Sequence, residues 1–330
     1  MKDLAFSLNI VMPMTFMMAL GYIFRKIGLF DDPFLRTGKK FCFYVLLSCS
    51  LFKNLYDSDL DDLPYRFIIY LIIAIFVEIA LSFFAAKLIA DKKQEEGVIA
   101  QGCFRSNFAY IGFPLATMFF SDELLIQRTN SEISLASIFV IPLFNIFVVI
   151  ALLKGNEDGD KKTMLKRSIK GILRNPCILS VFAGMLVLFT RILFPAVSFL
   201  FRDEMPSLYK ALSYLASMST PFAFLLVGAD MDFSRSVKDL GKLMKVIALK
   251  DFVFPVLFIL GAYLFRAADS VEYAILVSVF ASPTAVSSAI MAHEMNGDSD
   301  LASEIVVYTT LVSIISLLVI IYLLRITGLV

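Results

Sequence analysis

The sequence predicts an all-α integral membrane protein of ten transmembrane helices, arranged as a 5+5 inverted-topology repeat, and three observations predict it. Of its 330 residues 59% are hydrophobic and only 18% charged, with a mean hydropathy of +0.81, whereas a soluble domain has roughly 25% charged residues. Apolar stretches of about 20 residues, the length that crosses a bilayer core, recur ten times along the chain. Lysine and arginine gather in alternate connections between them. The lipid bilayer is therefore the first partner. A net charge of +1 argues against nucleic acid, which needs a concentrated basic face to displace counterions from phosphates.

The stretches lie at about 4–24, 34–55, 64–90, 97–120, 134–153, 176–200, 208–229, 243–265, 271–292 and 304–325. The first follows Met-Lys-Asp with no small-residue cleavage site, so it reads as a retained helix and not a removable signal peptide. The second starts with Arg36, Lys39 and Lys40, which leaves it a short apolar part. The third carries Glu78 near its middle. The ninth closes with His293, the one histidine of the chain, and a single histidine supplies neither a zinc site nor a catalytic triad. Cys42, Cys49, Cys103 and Cys177 lie in or beside spans without metal-ligand spacing and read as small packing residues. No metal or cofactor is expected. The 33 phenylalanines, with no tryptophan, read as lipid-facing and core packing.

Positive charge stays on the cytoplasmic side, and residues 25–40, 87–93, 154–174 and 235–250 hold five, three, seven and five basic side chains. These connections face in, so the chain sits in the cell membrane with both termini outside and its central loop cytoplasmic. The longest polar connection, "KGNEDGDKKTMLKRSIKGILRNP", divides the chain into residues 1–154, a linker 155–175, and residues 176–330. Five spans on each side put the halves in opposite orientation, the arithmetic of an inverted repeat. Pro13 and Gly21 correspond to Pro176 and Gly184 at one offset, and Phe104, Ser106 and Ala109 to Phe280, Ser282 and Ala285 at another.

The fourth and ninth spans contain residues that a lipid-facing helix does not tolerate. One holds Ser106, Asn107, Gly112 and Pro114, and the other holds Ser282, Pro283, Thr284, Ser287 and Ser288. Irregular backbone at membrane depth survives only where protein or a watery cavity supplies partners. Interruptions at matching positions of two inverted halves point to a transport site at the midplane. An interruption exposes N–H groups, carbonyls and the ends of two macrodipoles, with anions favoured at the N-terminal end. Arg105 adds a positive charge, either for a carboxylate substrate or for an ion pair with Glu78. Glu78 has a second reading as a proton relay. Lys250 and Asp251, nearer a span end, read as residues that snorkel to the interface.

"SNFAYIGFPLA" in the fourth span, "STPFAFLLVGADM" in the seventh and "ASPTAVSSAIMAHEMNGDSDLAS" in the ninth together resemble the auxin efflux carrier family, whose members include plant auxin exporters and bacterial permeases for malonate, malate and related acids. Pro283, Thr284, Ala285, Ala292, Glu294, Gly297 and Asp298 reproduce the family's ninth-span pattern, and the short central loop is of the bacterial type. The resemblance implies a scaffold domain of spans 1, 2, 6 and 7 and a transport domain of spans 3, 4, 5, 8, 9 and 10, with the fourth and ninth spans crossing. It implies that Asn107 is the substrate-binding residue at the crossover, that Pro283 and Thr284 are its counterpart, and that relatives pair as homodimers through the scaffold. The second span departs from the pattern, with Ser48 in "LLSCSLF" where members often have Leu-Pro, while Pro221 keeps the equivalent feature in the seventh.

The function these readings support is secondary transport of a small organic anion by an elevator-like movement of one domain against the other. No G-x-x-x-x-G-K-[ST] phosphate loop is present, so the energy comes from a gradient, the membrane potential, protons or sodium. The alternative is a sodium-coupled symporter of the related bile-acid type. An intramembrane enzyme or a receptor is the reading from other classes, and the former would need paired carboxylates or a nucleophile with its base.

Overall fold

Hydrocarbon offers the backbone no hydrogen bonds, so apolar segments must satisfy their own N–H and C=O groups as helices. The computed structural model, which describes residues 2–57, 64–155, 176–193, 201–231, 237, 239–295 and 297–330, follows that rule. Its helices are α1 (Lys2–Lys26), α2 (Asp32–Phe41), α3 (Leu47–Tyr56), α4 (Tyr65–Ile89), α5 (Lys93–Phe104), α6 (Phe113–Ala116), α7 (Glu123–Gly155), α8 (Pro176–Leu193), α9 (Phe201–Glu204), α10 (Pro206–Ala229), α11 (Leu240–Ile247), α12 (Phe254–Phe265), α13 (Ser270–Leu276), α14 (Ser287–Glu294) and α15 (Ser299–Ile326). The described residues contain no strand, and each of the ten apolar stretches of the sequence contains helix. Among the described residues, five helices are individually long and apolar enough to cross a membrane: α1, α4, the Glu123–Leu153 part of α7, α10 and α15. The chain is a multi-pass, all-helical membrane protein. All but the first residue of the linker at 155–175 lies outside the described residues.

Helix starts are set by polar caps at the ends of the apolar runs. Asp31, Asp239, Asp269 and Asp298 each accept a hydrogen bond from a first-turn N–H, of Phe34, Lys242, Glu272 and Leu301 respectively, which satisfies donors the helix leaves orphaned. Outward faces are apolar, with Phe16, Ile69, Phe84, Leu186, Leu260 and Leu264 all exposed. That inverts the usual partition and suits contact with acyl chains.

Four wide turns of π-helix interrupt these rods, at Cys42–Leu46, Phe108–Gly112, Ala248–Val253 and Val277–Ala281. Such turns are rare and concentrate at functional sites. Helices α1, α2, α3, α8 and α10 pack on one another, and α4, α5, α7 and α11 to α15 form a second set of mutual contacts. The sets also meet, chiefly where α1 lies on α15 and α3 on α7.

Lipid offers no hydrophobic force to drive helices together, so close packing of small residues does much of the work. At the α1–α10 joint a methyl group on Gly228 would sit 1.8 Å from the Met18 carbonyl oxygen, and one on Gly21 would sit 2.0 Å from that of Leu225. Both obstacles are backbone and cannot swing aside. Gly228→Ala is therefore expected to cost about 1–3 kcal/mol, the range for overpacking, read as a lower unfolding temperature in detergent. An unchanged unfolding temperature would show that the two helices are not this close.

Candidate functional site

The site begins with two interruptions whose causes differ. In the ninth apolar stretch the Ser282-Pro283 pair ends the helix after Ala281. Proline has no N–H to continue the ladder, and it biases the residue before it toward extended backbone, which Ser282 adopts at φ −67°, ψ 139°. In the fourth stretch α5 ends at Phe104 with Arg105 extended at φ −76°, ψ 94°, and helix resumes only after Asn107. Serine and asparagine compete locally for backbone hydrogen bonds and so weaken a helix there.

The two interruptions satisfy each other. The Asn107 amide donates to the Pro283 carbonyl at 2.7 Å, and the Ala285 amide donates to that of Arg105 at 3.0 Å. Ser106 and Thr284 form an isolated antiparallel bridge between these bonds. The Thr284 hydroxyl donates to the Gly102 carbonyl at 2.7 Å, and its amide donates to Oγ1 of Thr309 on α15 at 3.2 Å. Groups that would be orphaned in lipid thus find protein partners, as buried backbone requires. The offset that relates Phe104 to Phe280 also relates Asn107 to Pro283, so residues in equivalent positions of the two stretches bond directly.

Gly112 makes this approach possible. A Cβ there would lie 2.3 Å from the Ser278 carbonyl oxygen and 3.0 Å from Ser282 Oγ, so the turns Phe108–Gly112 and Val277–Ala281 meet without side chains between them. Pro114 lies in helix that runs on from the Phe108–Gly112 turn into α6. Pro221 lies inside α10, and Ser48 on α3 turns its hydroxyl to the Phe43 carbonyl at 3.3 Å.

A cavity of about 510 Å³ lies against the joined interruptions. Its walls come from Lys39, Lys40 and Phe43 of the second stretch, Asn145 of α7, Asp230 after α10, and Ile290 and Met291 of α14, with Arg105, Ser106 and Asn107 at the interruption. Lining groups at the start of the second stretch and at the end of α10 place it on one side of the joint, the side of the lysine-rich connections. Ser282, Pro283 and Thr284 are not in its wall, and neither is Ser48. Ser282 hydrogen bonds to the Ser278 carbonyl at 2.7 Å, so it and Thr284 brace the backbone behind the cavity.

The chemistry of the cavity is cationic and rich in donors. Arg105 is 6% exposed. It donates from one Nη to Asn145 Oδ1 at 3.1 Å and from the other to the Met291 sulfur at 3.1 Å, and among the described residues no carboxylate pairs with it. Asp230, the acid of the lining, is held by Lys39 at 2.5 Å. Among the described residues, Arg105 and Lys40 have no acidic partner. Asn107 is 2% exposed, and its Nδ2, like the Ser106 hydroxyl, has no protein hydrogen-bond partner among the described residues. The walls of the cavity thus bring together a guanidinium, an amide and a hydroxyl, side chains of the kinds that bind a small carboxylate. A second cavity of about 190 Å³ shares Lys39, Asp230, Val286 and Ile290 with the first, so the ion pair belongs to the walls of both.

Two sequence-based expectations are corrected here. The partner of Glu78 is Lys250, at 3.5 Å, and not Arg105. Lys250 and Asp251 do not snorkel: both are fully buried, because α11 intervenes between them and the helix start and the Ala248–Val253 turn packs against α5, α15 and the turn Val277–Ala281. Sequence reasoning also missed Asn145, although an amide amid "VIPLFNIFVV" carries the signal of a polar group placed for an interhelical bond. It missed Thr309, and it read Lys39 as a loop charge only.

Comparison with known proteins extends this picture to the whole chain. The sequence profile of a family described as "Membrane transport protein" matches residues 6–321. A protein of Rhizobium meliloti (strain 1021) described as "Putative malonate transporter" is 24% identical over 330 residues, which cover 96% of this chain and 95% of that protein.

Proposed function

Because the chain belongs to the membrane transport protein family, that of the auxin efflux carriers, we propose that it is a secondary carrier for a small carboxylate, held at the joined interruptions and released by alternating access. The observation that carries this reading is Arg105, buried in the cavity wall with an amide and a thioether but no carboxylate as partner among the described residues. An arginine at membrane depth costs at least about 2.5–3.5 kcal/mol on insertion scales, and a substrate carboxylate would return much of that. Asn107 Nδ2 and Ser106 Oγ supply the remaining donors. The relative described as a malonate transporter makes malonate the first substrate to test.

In this reading the chain crosses the membrane ten times as a 5+5 repeat, and the fourth and ninth spans cross at Asn107 and Pro283. The set α1, α2, α3, α8 and α10 is the scaffold, and the remaining long helices form the moving transport domain. The contact pattern supports that division. With the lysine-rich connections in the cytoplasm, both termini lie outside and the cavity is on the cytoplasmic side of the joint, the inward-facing half of a cycle. Export of an anion from a cell with negative interior gains about 2.3 kcal/mol per charge per 100 mV, sufficient to drive a uniporter.

Asn107→Ala in a well-expressed protein is expected to abolish malonate uptake into proteoliposomes or weaken it by at least about tenfold, the worth of one hydrogen bond to a charged group. Uptake near the wild-type rate would remove Asn107 from the site. Transport that stops in sodium-free buffer would favour the bile-acid-type symporter instead. Turnover of malonate by the purified protein would contradict the carrier reading altogether.

A further inference from the structure

The carrier site leaves one buried cluster unexplained. Glu78 on α4, and Lys250 and Asp251 on the Ala248–Val253 turn, are all 0% exposed. Lys250 is 3.5 Å from Glu78, longer than a charge-assisted hydrogen bond, and neither oxygen of Asp251 has a hydrogen-bond partner among the described residues. Asp251 follows Lys250 on the same turn, both buried. Cys103 of α5 is buried as well, and Ser82, one turn along α4, brings a buried hydroxyl without a protein partner among the described residues. With both acids ionised the cluster holds two negative charges against one positive, and an uncompensated charge in the interior is costly. One more proton makes it neutral.

We propose that this cluster is a proton-binding site, with Asp251 as the carboxyl that carries the proton and the Glu78–Lys250 pair as its neutral neighbour. On release, the Asp251 O–H bond breaks, the proton passes to water, and the buried cluster is left with two carboxylates against one ammonium. The position suits coupling. The turn that bears Lys250 and Asp251 packs on α5, which ends at Arg105, on the turn that ends at Ser282, and on α15, which supplies Thr309. A change of charge here therefore bears on both arms of the interruption. The purpose assigned to the site, movement of a proton with the substrate, rests on the carrier reading above, whereas the binding of the proton does not.

Infrared difference spectra of the purified full chain in lipid nanodiscs test the site without any substrate. Wild type is expected to show the carbonyl stretch of a protonated carboxyl at neutral pH, and Asp251→Asn to remove it. Glu78→Gln should remove it as well, because the cluster is then neutral with Asp251 ionised, one carboxylate against one ammonium. This second variant keeps the test intact if the first does not fold. A spectrum unchanged by both variants overturns the proposal. In proteoliposomes, wild type is expected to move a proton with malonate, read by a lumenal pH dye, while Asp251→Asn binds malonate but moves no proton. Malonate transport by wild type with no change in lumenal pH overturns the coupling. The band present without any carboxylate transport would sink the carrier function and uphold the proton site.

Discussion

Replacing Arg105 with alanine is expected to weaken malonate binding by about 2–3 kcal/mol, roughly 30- to 150-fold in Kd, the worth of a hydrogen bond between charged groups in a partly desolvated site. The fold should survive, because Arg105 is bonded to Asn145 and Met291 and, among the described residues, to no acid that would be stranded by its loss. Arg105→Lys is not a conservative change: the ammonium keeps the charge but lacks the planar fork that meets a carboxylate with two parallel bonds, so only part of the affinity should return. Titration of the purified variants with malonate checks both statements. Unchanged affinity in Arg105→Ala, with normal yield, would make the arginine a structural group that merely bridges α7 and α14.

Lys250→Met is expected to have the opposite signature, a large loss of stability with no direct effect on substrate contacts. Removing one partner of a buried ion pair costs about 3–5 kcal/mol, because the other is left uncompensated. Here the partner left behind is Glu78, fully buried. The double variant Lys250→Met with Glu78→Gln should recover much of the loss, since it removes the charge that Lys250 had compensated. Thermal unfolding in one detergent across the single and double variants gives the coupling directly. Additive losses would mean that the 3.5 Å approach carries no interaction energy.

The sequence shows a good part of this molecule. Hydropathy locates helices in every apolar stretch, and Ser282-Pro283 explains one interruption from the chemistry of proline alone. The other interruption is legible as to stretch but not as to residue: Pro114 draws attention, yet the helix breaks nine residues earlier, at Arg105, and runs on through Pro114 from the Phe108–Gly112 turn into α6. What composition cannot express is long-range pairing. Glu78 and Lys250 are in different halves of the chain, and nothing in either neighbourhood names the other. The π turns Phe108–Gly112, Ala248–Val253 and Val277–Ala281 are each followed two residues on by a proline, Pro114, Pro255 and Pro283, a signal that hydropathy does not read. The positions singled out for the site divide accordingly. Arg105, Ser106 and Asn107 line the cavity, while Ser282, Pro283 and Thr284 hold the backbone that shapes it.

Substrate protection at the joint tests the central claim most directly. In a cysteine-free background that replaces Cys42, Cys49, Cys103 and Cys177, one variant carries Ser106→Cys and another Ser48→Cys. A membrane-impermeant thiol reagent is applied from the side of the lysine-rich connections, with and without malonate. The account predicts that malonate slows labelling at position 106 and leaves position 48 unaffected. Labelling at 106 that malonate does not change, together with protection at 48, would place the substrate elsewhere in the bundle and contradict it.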